Sequence, residues 1–182
     1  MALTLIASTD RARRRRIGRE IRRFGHEVLW AAGTGQTREA LQDGPVDVLV
    51  VDSSLPGPGG VLPLLRWTHR HRPRTGILVI ENSRGSRLEA ACEKLRVPCI
   101  VEPVATPILR YCLQLLLESR SASTRAARGL ASARRKPSGP AEEGSGAHEI
   151  DDLWFAVFQR MLKRPPGRRP RRATSSVTRK GS

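Results

Sequence analysis

Aromatic side chains are scarce in this 182-residue chain, three Trp, one Tyr and three Phe. No segment interleaves aromatic with basic residues as RNA-reading modules do, and no helix-turn-helix pattern is present, so any binding to nucleic acid is expected to tolerate sequence. Cysteine is also sparse: Cys92, Cys99 and Cys112 lie in or beside apolar segments, are odd in number and form no C-x-x-C pair. They read as reduced core thiols in a reducing compartment. No apolar run approaches the roughly 18 residues of a membrane span. The apolar start, residues 1–8, precedes Arg11 and Arg13 to Arg16, the reverse of a secretory signal's charge order, so a cytoplasmic location is expected.

Acidic residues are outnumbered, 17 against 33 Lys+Arg, for a net charge of +16. The excess is uneven: residues 1–118 hold 18 Lys+Arg against 12 Asp+Glu, and residues 119–182 hold 15 against 5. A basic tail of this kind suits a polyanion as a non-specific partner and says nothing of fold. Biased coding for arginine gives the same excess with no function attached. The composition predicts one domain over residues 1–120, a disordered Ser/Ala/Arg/Gly/Pro linker over 121–147, an amphipathic helix over 148–164 and a disordered basic tail over 165–182. In the tail helix Leu153, Trp154, Val157, Phe158 and Met161 recur at helical spacing and form a face that must bury itself on its own domain or on a partner.

The most informative stretch is VDVLVVDSSLPGPGG, residues 46–60. Its aliphatic run has no polar alternation after Asp47, the pattern of a strand covered on both faces of a parallel sheet. The run stops at Asp52 and enters a Leu-Pro-Gly turn. In an open α/β sheet ligands and chemistry collect at the carboxyl ends of the strands, where Asp52 falls.

Similar units precede and follow it. A strand over 3–7 leads through Ser8, Thr9 and Asp10 into a helix striped by Ile17, Ile21 and Phe24, with Gly25 placed to end it. That helix opens on arginines, which act either as a solvated face or as a patch for an acidic partner. Residues 26–32 give a second strand and 37–42 a short helix. Val61, Leu64, Leu65 and Thr68 stripe a third helix, in which His69 and His71 are too close in sequence to share a face. A strand over 76–80, a helix over 84–96, a strand over 99–101 and a helix with Ile108, Leu109, Cys112, Leu115 and Leu116 inward complete the series. This alternation predicts a doubly wound parallel sheet.

A strand-ending Asp followed by Leu-Pro-Gly, third in five βα units, resembles the response-regulator receiver family. The resemblance implies a flavodoxin-like (βα)5 fold with strand order 2-1-3-4-5 and Asp52 as acceptor of a phosphoryl group from a histidine kinase, forming 4-aspartylphosphate. It also implies an acidic pair after the first strand that helps the acceptor hold magnesium, a Ser or Thr after the fourth strand, and a Lys before a cis proline after the fifth. Here the acidic pair falls on Ser8 and Thr9, with Asp10 beside them; the hydroxyl falls on Glu81; the lysine falls on Glu102, before Pro103; and an aromatic of the fifth strand falls on Cys99. Two hydroxyls supply less charge to magnesium than two carboxylates, and an acid in place of the lysine repels a phosphoryl group.

The expected function is therefore a non-enzymatic, response-regulator-like role in a two-component or phosphorelay system, exercised through protein–protein contact with a sensor kinase or downstream regulator. The alternatives are a true phosphoacceptor modified at Asp52 and a protein held on nucleic acid by its basic tail. No resident cofactor or metal is expected, magnesium entering only with phosphorylation. Asp10, Asp52, Glu81 and Glu102 are the weak candidates for a divalent ion gathered between acids. The other expectation for crowded carboxyls is that one stays protonated. The resemblance also implies a cis Glu102-Pro103 peptide.

Overall fold

The structure, a computed structural model, describes residues 1–133, with side chains through residue 119. Five strands, β1 (Leu3–Ala7), β2 (Glu27–Ala31), β3 (Val48–Asp52), β4 (Gly76–Glu81) and β5 (Cys99–Val101), alternate with five helices, α1 (Arg11–Arg23), α2 (Thr34–Asp43), α3 (Val61–His71), α4 (Arg87–Lys94) and α5 (Thr106–Ala133). The strands form one parallel sheet in the order β2-β1-β3-β4-β5. This is the flavodoxin-like topology expected from the sequence.

The unbroken apolar run of β3 places it at the centre, where all five residues are buried. Alternate residues feed two cores. Leu5, Leu49, Val51 and Val79 pack with Leu41, Leu64 and Leu65 on the side of α2, α3 and α4. Ile6, Val48, Val50, Leu78 and Ile80 pack with Ile17, Ile21, Leu109, Leu113 and Leu116 on the side of α1 and α5. Each aliphatic side chain so removed from water contributes about 1.5–3 kcal/mol against the entropy of ordering the chain. β2 is an edge strand and leaves Leu29 and Trp30 partly exposed.

Turn chemistry connects the layers. Asp10 caps α1, its Oδ1 accepting from the amides of Ala12 and Arg13 at 2.8 and 3.1 Å. Gly25 ends the helix at φ +82°, as the sequence suggests. In the Leu-Pro-Gly turn, Gly57 is required for space: a Cβ there would lie 1.7 Å from Thr34 Oγ1 at the start of α2.

Several boundaries differ from the sequence expectation. α2 begins at Thr34, earlier than residue 37. α4 begins at Arg87 instead of residue 84, because Ser86 caps it by accepting from the Glu89 amide at 3.0 Å, a Ser-x-x-Glu signature present in the sequence. Along α5 the inward residues are Leu109, Cys112, Leu113 and Leu116, while Ile108 is exposed. α5 also runs through Ala133, so residues 121–133, expected to open a disordered linker, continue the helix. Alanine and arginine favour helix without an apolar stripe to announce it. The rest of the linker, the helix over 148–164 with Leu153, Trp154, Val157, Phe158 and Met161, and the tail over 165–182 lie outside the described residues.

Candidate functional site

Asp52 closes β3 at the carboxyl edge of the sheet and is 2% exposed. In register it pairs with Ile80 and keeps the alternation of Val48 and Val50, so its side chain belongs to the α1 and α5 face. Ser8, two residues beyond Ile6 on β1, shares that face and donates its hydroxyl to Asp52 Oδ2 at 2.8 Å. Ser54 donates both its amide and its hydroxyl to Oδ1, at 3.0 and 2.8 Å.

The remaining partner is a cation that the sequence reading did not single out. Arg13, in the first turn of α1, donates Nη1 to Asp52 Oδ2. Its Nη2 donates to Asn82 Oδ1 at 2.7 Å, and its Nε lies 3.2 Å from Glu102 Oε1. Arg16, one turn on, reaches the same Glu102 oxygen at 2.6 Å. The guanidinium fork thus bridges the ends of β3, β4 and β5. Arg13 is 13% exposed, so its bond to Asp52 is shielded; Arg16 is 42% exposed, and its pair contributes little against solvent screening.

Burial alone raises the Asp52 carboxyl. The hydrogen bonds from the Ser54 amide and hydroxyl, the Ser8 hydroxyl and Arg13 outweigh it and hold the group below the usual carboxylate range. Asp52 is an anion whose two oxygens are each already taken twice.

Glu81 is placed differently from the expectation. It keeps the alternation of Val79 and turns to the opposite face. There Oε2 accepts from Ser86 Oγ at 2.8 Å and Oε1 from the Asn82 amide at 2.9 Å. Burial pushes this carboxyl up as well, but bonds from Ser53, Ser86 and the amides of Asn82 and Ser83 bring it below its ordinary value. Neither buried acid is therefore held protonated, contrary to one expectation for a crowded cluster. Glu81 belongs to the cap of α4, and it is the next residue, the exposed Asn82, that reaches the Asp52 site, through its hydrogen bond from Arg13.

The other predicted positions separate likewise. Thr9 is exposed, and Asp10 uses its carboxylate as the α1 cap. Cys99 lies in the opposite core next to Cys92; its hydrogen bond with Cys92, and then burial, push its thiol up. All three cysteines are free and buried, and burial pushes Cys112 up to about 12. The Glu102-Pro103 peptide is cis. His71 stacks on Trp67 with ring centroids 5.1 Å apart, at an exposed helix end.

Solved structures with this fold are numerous. The receiver domain of an HD-domain protein from Pseudomonas fluorescens Pf-5 superposes with a TM-score of 0.64 at 17% identity, over 68% of this chain and 92% of that one. A CheY-like response regulator receiver domain protein from Methanospirillum hungatei JF-1 gives 0.63 at 18%, over 68% and 98%. The fold is that of response-regulator receiver domains. NtrX from Brucella abortus, solved in complex with ADP, reaches 84% of this chain with a TM-score of 0.65 at 16% identity, this chain spanning 34% of it. No model of a known protein family matches the sequence, and no curated protein matches it.

The receiver fold raises the question of magnesium beside Asp52. The donor set does not fit it. A divalent ion needs several hard oxygen ligands, whereas Asp52 is the one carboxylate at the centre, both of its oxygens are engaged and Arg13 already supplies the positive charge. Among the described residues no three His, Cys, Asp or Glu side chains gather as a metal site. Of the sequence candidates Asp10, Asp52, Glu81 and Glu102, Asp10 is committed to the α1 cap and Glu81 to the α4 cap, while Asp52 and Glu102 share the Arg13 guanidinium, a cation already in place.

Proposed function

We propose that this chain is a receiver-fold signalling module of the two-component type that acts through protein–protein contact while its acceptor site is held by its own cation. The observation that carries the reading is the Arg13 guanidinium on the Asp52 carboxylate. In this reading Arg13 takes the electrostatic role of a bound cation, and Glu102, which would repel an incoming phosphoryl group, is neutralised by Arg13 and Arg16. The fold then signals by its shape and charge to a sensor kinase or downstream regulator, without phosphoryl transfer and without an enzymatic step. Among the described residues no helix is long and apolar enough to cross a membrane.

The test is to incubate the full chain with a small acyl phosphate and magnesium and to measure its intact mass. The reading expects no phosphoryl adduct. An acid-labile gain that disappears in Asp52→Asn would establish the competing reading, a true acceptor at Asp52.

A further inference from the structure

Six of the eight arginines of α1 divide between two faces. Arg13 and Arg16 turn toward Asp52 and Glu102. Arg11, Arg14, Arg15 and Arg22 turn the other way and, with Trp30 of β2, line an open pocket of about 380 Å³. Residues 11, 14, 15, 18 and 22 follow one stripe of a helix, and in this stripe the arginines are interrupted only by Gly18. That glycine is buried beneath the indole: a Cβ on it would lie 2.2 Å from Trp30 Cη2. The notch seats Trp30 against the helix while leaving it 38% exposed, with the Arg22 guanidinium 5.5 Å from its ring centroid.

This surface is electrostatically unfinished. Among the described residues Arg11, Arg14 and Arg15 have no carboxylate within an ion-pair distance. Like charges three and four residues apart repel, and cations in the first turn oppose the helix dipole. The Asp10 cap answers the dipole at the start of the helix, but among the described residues no carboxylate pairs with these three guanidinium groups, so an added anion would relieve their repulsion. Among the described residues β2 pairs only with β1, and no described element covers the outer flank of the groove.

Two further features narrow the anion. From Arg11 to Arg22 the stripe extends about 16 Å along the helix, long enough to meet more than one phosphate of an extended strand. An exposed indole beside guanidinium groups is a platform for an unpaired base, to which a duplex gives no access. We propose that the α1–β2 groove binds single-stranded nucleic acid without sequence preference, its phosphates along Arg11, Arg14, Arg15 and Arg22 and a base stacked at Trp30. An acidic protein segment would satisfy the arginines equally but would leave the ring unused. The proposal is independent of the state of Asp52.

The experiment titrates a short labelled oligothymidine into the full-length chain by fluorescence anisotropy across a salt series. Replacing Arg11, Arg14 and Arg15 together by Gln should weaken binding and lower the slope of log K against log salt by about 2, from roughly 0.7 per phosphate contact. Trp30→Leu should weaken binding about ten-fold and leave the slope unchanged. Trp30→Phe, which keeps a stacking face, should retain affinity, and the arginine variants, altered at solvent-facing positions, should keep the fold by circular dichroism. Absence of binding overturns the proposal, as does a triple variant with unchanged affinity and slope, which would assign binding to the basic tail. Polyglutamate competing as well as the oligonucleotide, or duplex binding as tightly as single strand with Trp30→Leu without effect, would also overturn it.

Discussion

Arg13 Nη1 donates to Asp52 Oδ2, so the first turn of α1 is tied to the end of the central strand by a charge-assisted hydrogen bond. The bond joins two residues 39 apart in sequence at the edge where an α/β sheet presents its chemistry. Asp52 is an acceptor whose capacity is already used.

The pair should be energetically coupled. In a cycle of Arg13→Met, Asp52→Asn and the double variant, each single change should destabilise by about 2 kcal/mol, the scale of a hydrogen bond to a charged group. The double variant should be less destabilised than the sum, with a coupling of about 1 kcal/mol or more. Urea denaturation of the four proteins measures this, and strict additivity would mean the ion pair contributes nothing.

Acid should release the same interaction. The folded-state pKa of Asp52 lies below its unfolded value of about 3.9. Its contribution is therefore complete above the unfolded value and is lost as pH falls through the folded one. The stability gap between the wild type and Asp52→Asn should be constant near neutrality and shrink below about pH 4. A gap that widens in acid would show a raised pKa instead.

Glu81 should behave as a structural acid. Glu81→Ala removes the acceptor of Ser86 Oγ and of the Asn82 amide, so it should destabilise the protein by roughly 1–3 kcal/mol through unpaired donors. The resonances of Ser8, Arg13 and Ser54 should stay in place while those of residues 86–89 move. Equal perturbation of both sets by NMR would return Glu81 to the Asp52 site.

Gly57 should tolerate no side chain. Because a Cβ at this position would meet Thr34 Oγ1 at 1.7 Å, Gly57→Ala must shift either the turn or the start of α2, at a cost of about 1–3 kcal/mol. Gly57→Ala combined with Thr34→Gly should recover much of the loss in a thermal melt. No recovery would point to backbone conformation instead of contact.

The order of elements is legible in the sequence because a strand buried on both faces writes itself as an unbroken aliphatic run, as residues 48–51 do. Asp52, Ser8 and Glu102 could be placed from strand ends alone. Arg13 could not: it stands in a run of arginines, and only the phase of α1 decides that Arg13 and Arg16 face the sheet's edge while Arg14 and Arg15 face Trp30. Glu81 stands at the strand end that the family resemblance singles out, but strand alternation turns it to the opposite face, since its side chain follows Val79, not Ile80. The extension of α5 was hidden because alanine and arginine propensity leaves no apolar period to read.

The most direct measurement is a magnesium titration of the full chain followed at the Ser54 amide and the Arg13 side chain by 15N–1H NMR. If Arg13 stands in for a bound cation, the wild type should show no saturable shift at either group, and the Arg13 Nε signal should remain protected by its ion pairs. Saturable movement of the Ser54 amide, together with release of Arg13 from Asp52, would contradict the account.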